Sequence, residues 1–152
     1  MSSIESRLHI LESESAIRAL KARYLNGCDL KDTEQIRACF TEDAEIDFPP
    51  LGAFGVNGLI EIFSNMAVST PIIDVHQAHN GEINIDGDTA RAVWNLSYVN
   101  FDPRENTFRL LSSLYYDEYQ KTDQGWKISK TRSEPRLVVD GQLDKDTVSA
   151  QW

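Results

Sequence analysis

The stretch that most strongly decides the fold runs from residue 20 to residue 29 and reads Leu20-Lys-Ala-Arg-Tyr24-Leu-Asn-Gly27-Cys-Asp29. Leu20 and Tyr24 are four residues apart and therefore share one face of a helix. Gly27 stands where a helix commonly ends in a left-handed residue, which predicts that Asp29 follows the helix. A phenol and a carboxylate thus meet beside an apolar helix face. They form either a buried site, or a core tyrosine next to an aspartate that caps the following turn.

The helix that leads into this stretch is predicted by apolar residues at helical spacing. These residues are Ile4, Leu8, Leu11, Ile17, Leu20 and Tyr24. They predict one helix, or two nearly continuous helices with a break capped by Ser13 or Ser15, ending at about residue 26. Asp32 followed by Gln35 has the form of a capping box and predicts a short second helix that ends near Phe40.

The next segments alternate between extended and helical patterns. Ala44-Glu-Ile-Asp-Phe48 alternates as a strand does, and Pro49-Pro50 ends it. The glycine-rich residues 51–57 then predict a loop at the mouth of a cavity. Asn57 is placed to cap a third helix, which Pro71 closes.

Tight turns divide the rest of the chain into long strands. Asp86-Gly87-Asp88 predicts a hairpin, and residues 102–106 and 123–125 predict two further turns. Helices followed by an antiparallel meander indicate an α+β fold, with the helices on one face of a curved sheet and a cone-shaped hollow between them. We expect a single domain over residues 1–136 and a C-terminal tail over residues 137–152.

The composition excludes several classes of partner. The 152 residues fit one domain, and 24 acidic against 15 basic residues give a formal net charge of −9. This charge disfavours nucleic acid and anionic membranes, which are bound mainly through Lys and Arg, and leaves a small uncharged or cationic ligand. Because the amino terminus has no apolar core segment and no apolar run approaches ~18 residues, we expect a cytoplasmic protein. Cys28 and Cys39 are expected to be free, partly buried thiols.

Two of the three histidines, His76 and His79, lie together near the start of the first long strand. Histidine is well suited to accept a proton near neutral pH. On an unbroken strand these two face opposite sides, and parity with Ile83 and Ile85 places His79 on the core face. A bulge at Asn80-Gly81 would reverse that parity. The alternative is that both histidines are surface or structural residues.

Several familiar catalytic motifs are missing from the sequence. His76 and His79 lack the i,i+4 helical spacing of hydrolytic zinc motifs. No Gly-x-Ser-x-Gly nucleophile elbow occurs, and no glycine-rich phosphate loop ends in Lys-Ser/Thr. We therefore expect neither a metal nor a cofactor.

Four motifs of this sequence occur in the same order in a known protein family. They are the stretch from Leu20 to Asp32, Phe40-Thr-Glu-Asp-Ala44, His76 ahead of residues 82–90, and residues 116–128, which read Tyr-Asp-Glu-Tyr-Gln-Lys-Thr-Asp-Gln-Gly-Trp-Lys-Ile. Together they resemble the SnoaL-like family of the scytalone dehydratase and nuclear-transport-factor-like superfamily, over residues 8–136. The resemblance implies a cone-shaped, cystatin-like α+β fold. It is less specific for activity, because members include dehydratases, isomerases, cyclases and a dehydrochlorinase.

The same resemblance implies roles for individual residues. Dehydratase and dehydrochlorinase members carry a catalytic Asp after the first long helix, matching Asp29, and a catalytic His at the strand entry, matching His76 rather than His79. Tyr24 stands five residues before that Asp, at another catalytic position. A catalytic Arg near the end of the last strand matches Arg136 or, less well aligned, Arg132.

These matches imply a cofactor-independent lyase of the dehydratase type. His76 would act as general base, Asp29 would hold its ring, Tyr24 would donate a hydrogen bond, and Arg136 would stabilise negative charge. Isomerisation or cyclisation by the same pair, or binding of a small ligand without catalysis, are the alternatives. We expect a small hydrophobic, cyclic substrate, no nucleic acid or membrane partner, and a homo-oligomer, either dimer or trimer. The expected pocket residues are Phe48, Phe54, Phe63, Met66, His79 and Trp94.

Overall fold

The structure, a computed structural model, describes residues 3–69 and 72–144. Three helices and six strands lie within these residues. The helices are α1 (Ile4–Leu30), α2 (Thr33–Ala38) and α3 (Val56–Ser69). The strands are β1 (Phe40–Phe48), β2 (Gly52–Gly55), β3 (Ile73–Asp86), β4 (Thr89–Asp102), β5 (Thr107–Thr122) and β6 (Gly125–Gln142).

Helix α1 is one continuous helix and ends later than the sequence predicts. The left-handed capping residue is Lys31, with φ 57°, and not Gly27. Gly27 lies inside the helix, where a Cβ would come within 3.2 Å of side-chain atoms of both Gln35 and Ile36. The close approach of α2 therefore explains why position 27 is a glycine. The predicted C-cap was wrong, and Asp29 belongs to the last turn of α1 rather than to the chain beyond it.

The short elements that follow α1 correct one prediction and confirm another. Asp32 is the N-cap of α2 and accepts the Gln35 backbone N–H at 2.9 Å, which confirms that half of the predicted capping box. Residues 51–57, predicted as a loop, instead contain β2, which pairs antiparallel with β1 from Phe48 opposite Gly52 to Glu45 opposite Gly55. Two glycines in four residues concealed this strand, because glycine is depleted in strands.

The strands form one mixed sheet in the order β2-β1-β6-β5-β4-β3. Strands β3 to β6 form the predicted antiparallel meander, joined by turns at the three predicted places. Strand β1 pairs with β6 in parallel, which makes the sheet mixed. Residues 137–142 belong to β6, so the sheet continues past position 136, where we expected the domain to end and a tail to begin. The fold is α+β, as predicted.

One face of the sheet carries the helices, and we call it the helix-covered face; the opposite one is the outer face. Alternate residues of β4 and β5 are buried on the helix-covered face, as the period of two requires, and β6 keeps the same alternation on either side of an insertion at Ser129. These residues are Ala90, Ala92, Trp94 and Leu96 on β4, Ser113, Tyr115, Asp117 and Tyr119 on β5, and Trp126, Ile128, Thr131 and Ser133 on β6. Helix α1 buries Ile17, Leu20 and Tyr24 against them. Cys28 and Cys39 are buried free thiols, as expected.

Strand β3 contains a bulge that decides which histidine faces the helices. His79 pairs with Asn95, but the next pair is Glu82 with Val93, so Asn80 and Gly81 are an insertion in the ladder. Asn80 adopts a positive φ of 49° there. The bulge reverses the parity of the strand, so that Ile83 and Ile85 share the helix-covered face with His76. The parity argument for His79 was therefore wrong, and His79 lies on the outer side of β3.

Candidate functional site

The end of α1 meets the edge strand β3 at Asp29 and His76. The Asp29 Oδ1 atom lies 2.6 Å from the His76 Nδ1 atom, which confirms the contact expected between these residues. The His76 backbone N–H also donates to both carboxylate oxygens of Asp29, at 3.1 and 3.2 Å. One carboxylate thus holds both the backbone and the ring of the same residue.

This contact fixes which ring nitrogen carries a proton. An ionised carboxylate only accepts hydrogen bonds, so the ring nitrogen facing Asp29 is the Nδ1–H donor. In the neutral ring, Nε2 then keeps its lone pair and points away from Asp29. The side chains of Asp29 and His76 remain 24% and 15% exposed, so the ring is enclosed but reachable from solvent. The pair can accept a proton at Nε2 and stabilise the resulting imidazolium.

A second carboxylate lies beside this pair. Asp74 is two residues before His76 and therefore faces the same side of β3. It accepts hydrogen bonds from Lys31 Nζ, from the Tyr98 hydroxyl at 2.6 Å and from Asn100 Nδ2 at 2.8 Å. The Tyr98 ring stacks on the His76 ring, with centroids 4.3 Å apart and planes inclined by 30°.

A third polar cluster lies deeper, between α1 and the middle of the sheet. Lys21 Nζ forms a buried ion pair with Asp117 Oδ2 at 2.7 Å, and both side chains are at most 1% exposed. Asp117 also accepts the hydroxyls of Tyr119 and Thr131, each at 2.7 Å. Trp94 Nε1 donates to the Tyr119 hydroxyl at 3.1 Å. Every charged group of this cluster is paired, as buried charges must be.

Tyr24 lies in the core between α1 and β1. Its ring packs edge-on against Phe40, with centroids 5.1 Å apart. Burial, together with nearby groups that include Cys28, raises the pKa of Tyr24 well above its ordinary value. The phenol therefore stays protonated and can act only as a neutral hydrogen-bonding group, with the Cys28 thiol as a neighbour.

The two arginines that the family resemblance singled out, Arg132 and Arg136, both lie away from Asp29 and His76. Arg132 lies on the outer face, over the Tyr116 ring, and its Nη2 is 3.6 Å from Glu134. Arg136 is exposed and falls at a register shift of β6, between the pairs made by residues 135 and 137. The arginine that shares the face of Asp74 is Arg109, opposite Asn100, and it donates to Asp140 at 2.6 and 3.0 Å.

The residues expected to line a pocket fall into two groups. Phe48, Phe54, Phe63 and Met66 belong to the end of the core near β1 and α3, where Phe48 contacts Phe54 and Tyr115 at centroid distances of 6.1 and 5.4 Å. Trp94 and His79 instead border a groove of about 430 Å³ between α1 and β3, and His76 lies on the same groove. Ala22, Leu25 and Ala78 also line the groove and give it apolar walls, while Arg18, Lys21, Asn26 and Gln77 add polar groups to its lining.

A larger concavity, of about 740 Å³, lies on the outer face and is lined by residues that include Glu82, Arg91, Tyr116, Lys130 and Arg132. Its basic side chains are paired, Arg91 with Glu118, Lys130 with Glu45 and Arg132 with Glu134. Because neither His76 nor Asp29 lines it, we place the candidate site at the smaller groove, whose wall includes His76, the residue that Asp29 holds.

Within residues 3–69 and 72–144, no three His, Cys, Asp or Glu side chains are grouped so that they could hold a metal ion. In the same part of the chain, no helix has the length and apolar character needed to cross a membrane.

Sequence reasoning singled out Asp29, His76 and Tyr24 but missed the two other polar clusters. A signal for one was present, because Lys21 follows Ile17 by four residues and precedes Tyr24 by three, which places a charge on the apolar face of α1. Asp117 likewise alternates with Tyr115 and Tyr119. A charged residue at a core position predicts a buried partner, although not which one.

Comparison with known proteins agrees with this architecture. Residues 9–132 match the SnoaL-like domain family. The chain is 24% identical over 127 residues to hexachlorocyclohexane dehydrochlorinase 1 of Sphingobium indicum, and the match covers 82% of each protein.

Solved structures with low sequence identity share the fold. A crystal structure of a type 2 hexachlorocyclohexane dehydrochlorinase superposes with a TM-score of 0.80 and 20% identity, over 93% of this chain and 99% of that one. A protein of Novosphingobium aromaticivorans, named only provisionally as a scytalone dehydratase, gives a TM-score of 0.80 and 20% identity over 91% and 93%. The family match spans most of the chain and confirms the resemblance inferred from the sequence: the protein belongs to the SnoaL-like domain family.

Proposed function

We propose that the protein is a cofactor-independent lyase that removes a proton from a carbon atom of a small apolar, cyclic substrate and expels a leaving group from the adjacent carbon. The observation that carries this proposal is the contact of 2.6 Å between Asp29 Oδ1 and His76 Nδ1. Lyase chemistry fits the family, since a relative that matches over most of both chains is named a dehydrochlorinase.

In the proposed reaction His76 Nε2 takes the proton. The electron pair of the broken C–H bond forms the new C=C bond, and the bond to the leaving group breaks with its electrons on that group. Asp29 holds the ring through Nδ1–H and stabilises the positive charge that the ring acquires. The departing group leaves as an anion, or as water if it is a hydroxyl that receives a proton.

Tyr24 and Arg136 have weaker support as further members of the site. Tyr24 is a protonated phenol and could donate a hydrogen bond to a leaving group, but its ring lies in the core beside Phe40. Arg136 is exposed at an irregularity of β6, and strands β5 and β4 lie between β6 and the strand that carries His76. We therefore assign the proton transfer to Asp29 and His76 alone.

The class of substrate follows from the walls of the groove. Ala22, Leu25, Ala78 and Trp94 give apolar contacts next to His76, and Arg18, Asn26 and Gln77 supply polar groups at the same groove. This lining favours a hydrocarbon skeleton that carries a polar substituent. A groove of about 430 Å³ is in the size range of sites that bind small molecules. Halogenated or hydroxylated rings with an acidic C–H beside the leaving group meet both conditions.

We further propose that the protein is a homo-oligomer that associates through the outer face of the sheet. Four aliphatic side chains lie in register across four neighbouring strands there. This aliphatic row consists of Val75, Val99, Leu110 and Val139. Each is 40 to 42% exposed, and Leu137 beside them is 57% exposed. A contiguous exposed apolar surface of this kind is typical of protein interfaces.

The lyase proposal is tested with a panel of cyclic compounds that carry a halide or hydroxyl next to an acidic C–H. Halide release and alkene formation are measured for the wild type, His76→Gln and His9→Gln. His9 is the matched control, being the same residue type near the start of α1, where its ring contacts the Gly87 carbonyl and is not among the residues that line the groove. We expect elimination by the wild type and by His9→Gln, and its loss in His76→Gln. Turnover by His76→Gln at the wild-type rate would refute the mechanism.

The same panel separates elimination from isomerisation. In D₂O, an isomerase would exchange the abstracted hydrogen for deuterium and return it to another carbon, while the leaving group stayed attached. Deuterium incorporation without halide or water release would therefore replace the lyase proposal with an isomerase that uses the same pair.

A further inference from the structure

Asp74 is a buried carboxylate that the proposed proton transfer does not use. Its relative exposure is 5%, although it stands near the start of an edge strand. Three donors from two parts of the fold meet it: Lys31, the C-cap of α1, and Tyr98 and Asn100, both on β4. Burying a charged carboxylate costs free energy unless hydrogen bonds or a counter-ion compensate it. The three donors supply that compensation for Asp74.

The charge states within this group are set by burial and by these hydrogen bonds. Burial by itself would raise the pKa of Asp74, but the hydrogen bonds from Lys31, Tyr98 and Asn100 hold it below its ordinary value. Burial and the neighbouring Asp74 carboxylate raise the pKa of the Tyr98 hydroxyl above its ordinary range. At neutral pH an ionised Asp74 thus accepts a hydrogen bond from a protonated Tyr98.

This hydrogen bond fixes the orientation of an aromatic ring that covers His76. Tyr98 is directly opposite His76 in the register of β3 and β4. The two rings stack at 4.3 Å with an interplanar angle of 30°. With its backbone held by the sheet and its hydroxyl held by Asp74, the Tyr98 ring is constrained at both ends.

The imidazole of His76 needs such a constraint. The χ2 torsion of histidine has a broad energy profile, so the ring plane turns away from the orientation in which Nδ1 meets Asp29 unless a neighbouring group holds it. The Asp29 contact selects Nδ1, but it acts only when the ring lies in the plane that Asp29 can reach.

We infer that Asp74 and Tyr98 are positioning residues for His76: Asp74 fixes the Tyr98 hydroxyl, and the stacked Tyr98 ring holds the imidazole in the plane in which Nδ1 meets Asp29. The functional meaning of this arrangement rests on the proposed lyase function. Lys31 connects Asp74 to Asp29, because its Nζ donates to the Asp74 carboxylate and, at 3.4 Å, to the backbone carbonyl of Asp29.

The test measures the protonated nitrogen of His76 directly and needs no substrate. Histidine labelled with ¹⁵N at both ring nitrogens is incorporated, and the ring shifts are recorded at a pH where the imidazoles are neutral. The described residues contain three histidines, so His9 and His79 serve as internal references within each spectrum. Wild-type His76 is expected to be in the Nδ1–H form, in contrast to exposed histidine.

Three variants and one control separate the parts of the proposal. Tyr98→Leu removes the ring, Tyr98→Phe keeps the ring but removes its hydroxyl, and Asp74→Asn removes the charge that holds it. Tyr116→Phe is the matched control, because it makes the same change on the outer face of β5. We expect the Nδ1–H signature of His76 to be lost in Tyr98→Leu and reduced in Tyr98→Phe and Asp74→Asn. Tyr116→Phe should match the wild type.

Each outcome decides a definite part of the inference. Unchanged His76 shifts in folded Tyr98→Leu would overturn it, and a change in Tyr98→Leu alone would overturn the role of Asp74. If Tyr98→Leu does not fold, Tyr98→Phe decides, because it alters only a hydroxyl. A circular dichroism spectrum and a melting temperature like those of the wild type show that each variant is folded.

Activity provides a second readout that is separate from the first. On any substrate that the elimination panel identifies, Tyr98→Leu should lower kcat by ~10²-fold through misplacement of the base, with KM little changed. Failure to find an eliminated substrate would count against the lyase function but leave the tautomer measurement intact. A normal tautomer in the variants would count against the positioning role but leave the lyase function intact.

Discussion

At the scale of single residues, Asp29 combines two tasks that are usually separate. It accepts the backbone N–H of His76, which holds the edge of β3 against α1, and it accepts Nδ1–H of the same residue. The first task needs only an acceptor, whereas the second gains from a full negative charge. A substitution that keeps the shape and removes the charge can therefore separate structure from catalysis.

Asp29→Asn is that substitution. The amide oxygen can still accept the His76 backbone N–H, so we expect the melting temperature to change little. The neutral amide does not stabilise an imidazolium and can turn the ring into the other tautomer, so turnover should fall by ~10²-fold or more. Asp32→Asn is the matched control: it removes the same charge three residues away, and Asn caps α2 as well as Asp does. Equal turnover in the two variants would remove Asp29 from the mechanism.

The buried pair of Lys21 and Asp117 poses a question of stability rather than of chemistry. Lys21→Met removes the cation and leaves the Asp117 carboxylate buried with only the Tyr119 and Thr131 hydroxyls. We expect a loss of ~3–5 kcal/mol in the free energy of unfolding, measured by urea denaturation. Adding Asp117→Asn should recover part of that loss, because no uncompensated charge then remains.

The exposed pair of Lys130 and Glu45 supplies the contrast for that experiment. Its N–O distance is also 2.7 Å, but both side chains are about half or more exposed to water. Lys130→Met should leave stability nearly unchanged, since solvent screens such pairs. Equal effects of the two lysine substitutions would show that burial does not distinguish these pairs.

At the scale of elements, the sequence predicted the features that depend on neighbouring residues. The Asp86-Gly87 hairpin and the Asp32 cap of α2 are local, and both are present. Gly27 misled the prediction because a glycine that admits a neighbouring helix looks, in sequence, like a glycine that ends its own helix. Only the later fold, which brings α2 against α1, distinguishes the two.

The candidate site shows the same division between local and distant information. Asp29 and His76 could be paired because the family resemblance supplied the long-range contact. Lys21 and Asp117 are 96 residues apart, and Asp74 meets Tyr98 only through the register of β3 and β4. A single sequence shows that such polar residues occupy core positions, but it does not show which of them meet. The bulge at Asn80-Gly81 adds to this, because it changes the side to which every later residue of β3 points.

The bulge itself leads to a prediction about β3. A Cβ on Gly81 would lie 2.2 Å from the Trp94 ring, whose Nε1 is hydrogen bonded to Tyr119. Because an anchored indole cannot easily move aside, Gly81→Ala should destabilise the protein by ~1–3 kcal/mol. Gly55→Ala is the control, since its Cβ would find its nearest neighbour at 3.9 Å. Thermal unfolding of both variants measures the difference, and equal melting temperatures would contradict the bulge geometry.

At the scale of the whole molecule, the outer face of the sheet carries two opposing influences on self-association. The aliphatic row across β3 to β6 favours contact between copies, because burying it removes apolar surface from water. A net charge of −9 on each copy opposes contact by mutual repulsion. Salt weakens only the second influence, since at physiological ionic strength charges are screened beyond ~8 Å. Association through the row should therefore strengthen as the salt concentration rises.

Leu110→Glu tests the proposed association at the centre of that row. It places a charge among Val99, Val139 and their symmetry-related counterparts, so we expect the oligomer to dissociate into monomers in sedimentation velocity experiments. Gln120→Glu is the matched control, because it adds the same charge on the same strand and face, ten residues away from the row. The control should sediment like the wild type, and all three proteins should share one circular dichroism spectrum. A monomeric wild type at high salt, or an oligomer that Leu110→Glu leaves intact, would show that the outer face is not the interface.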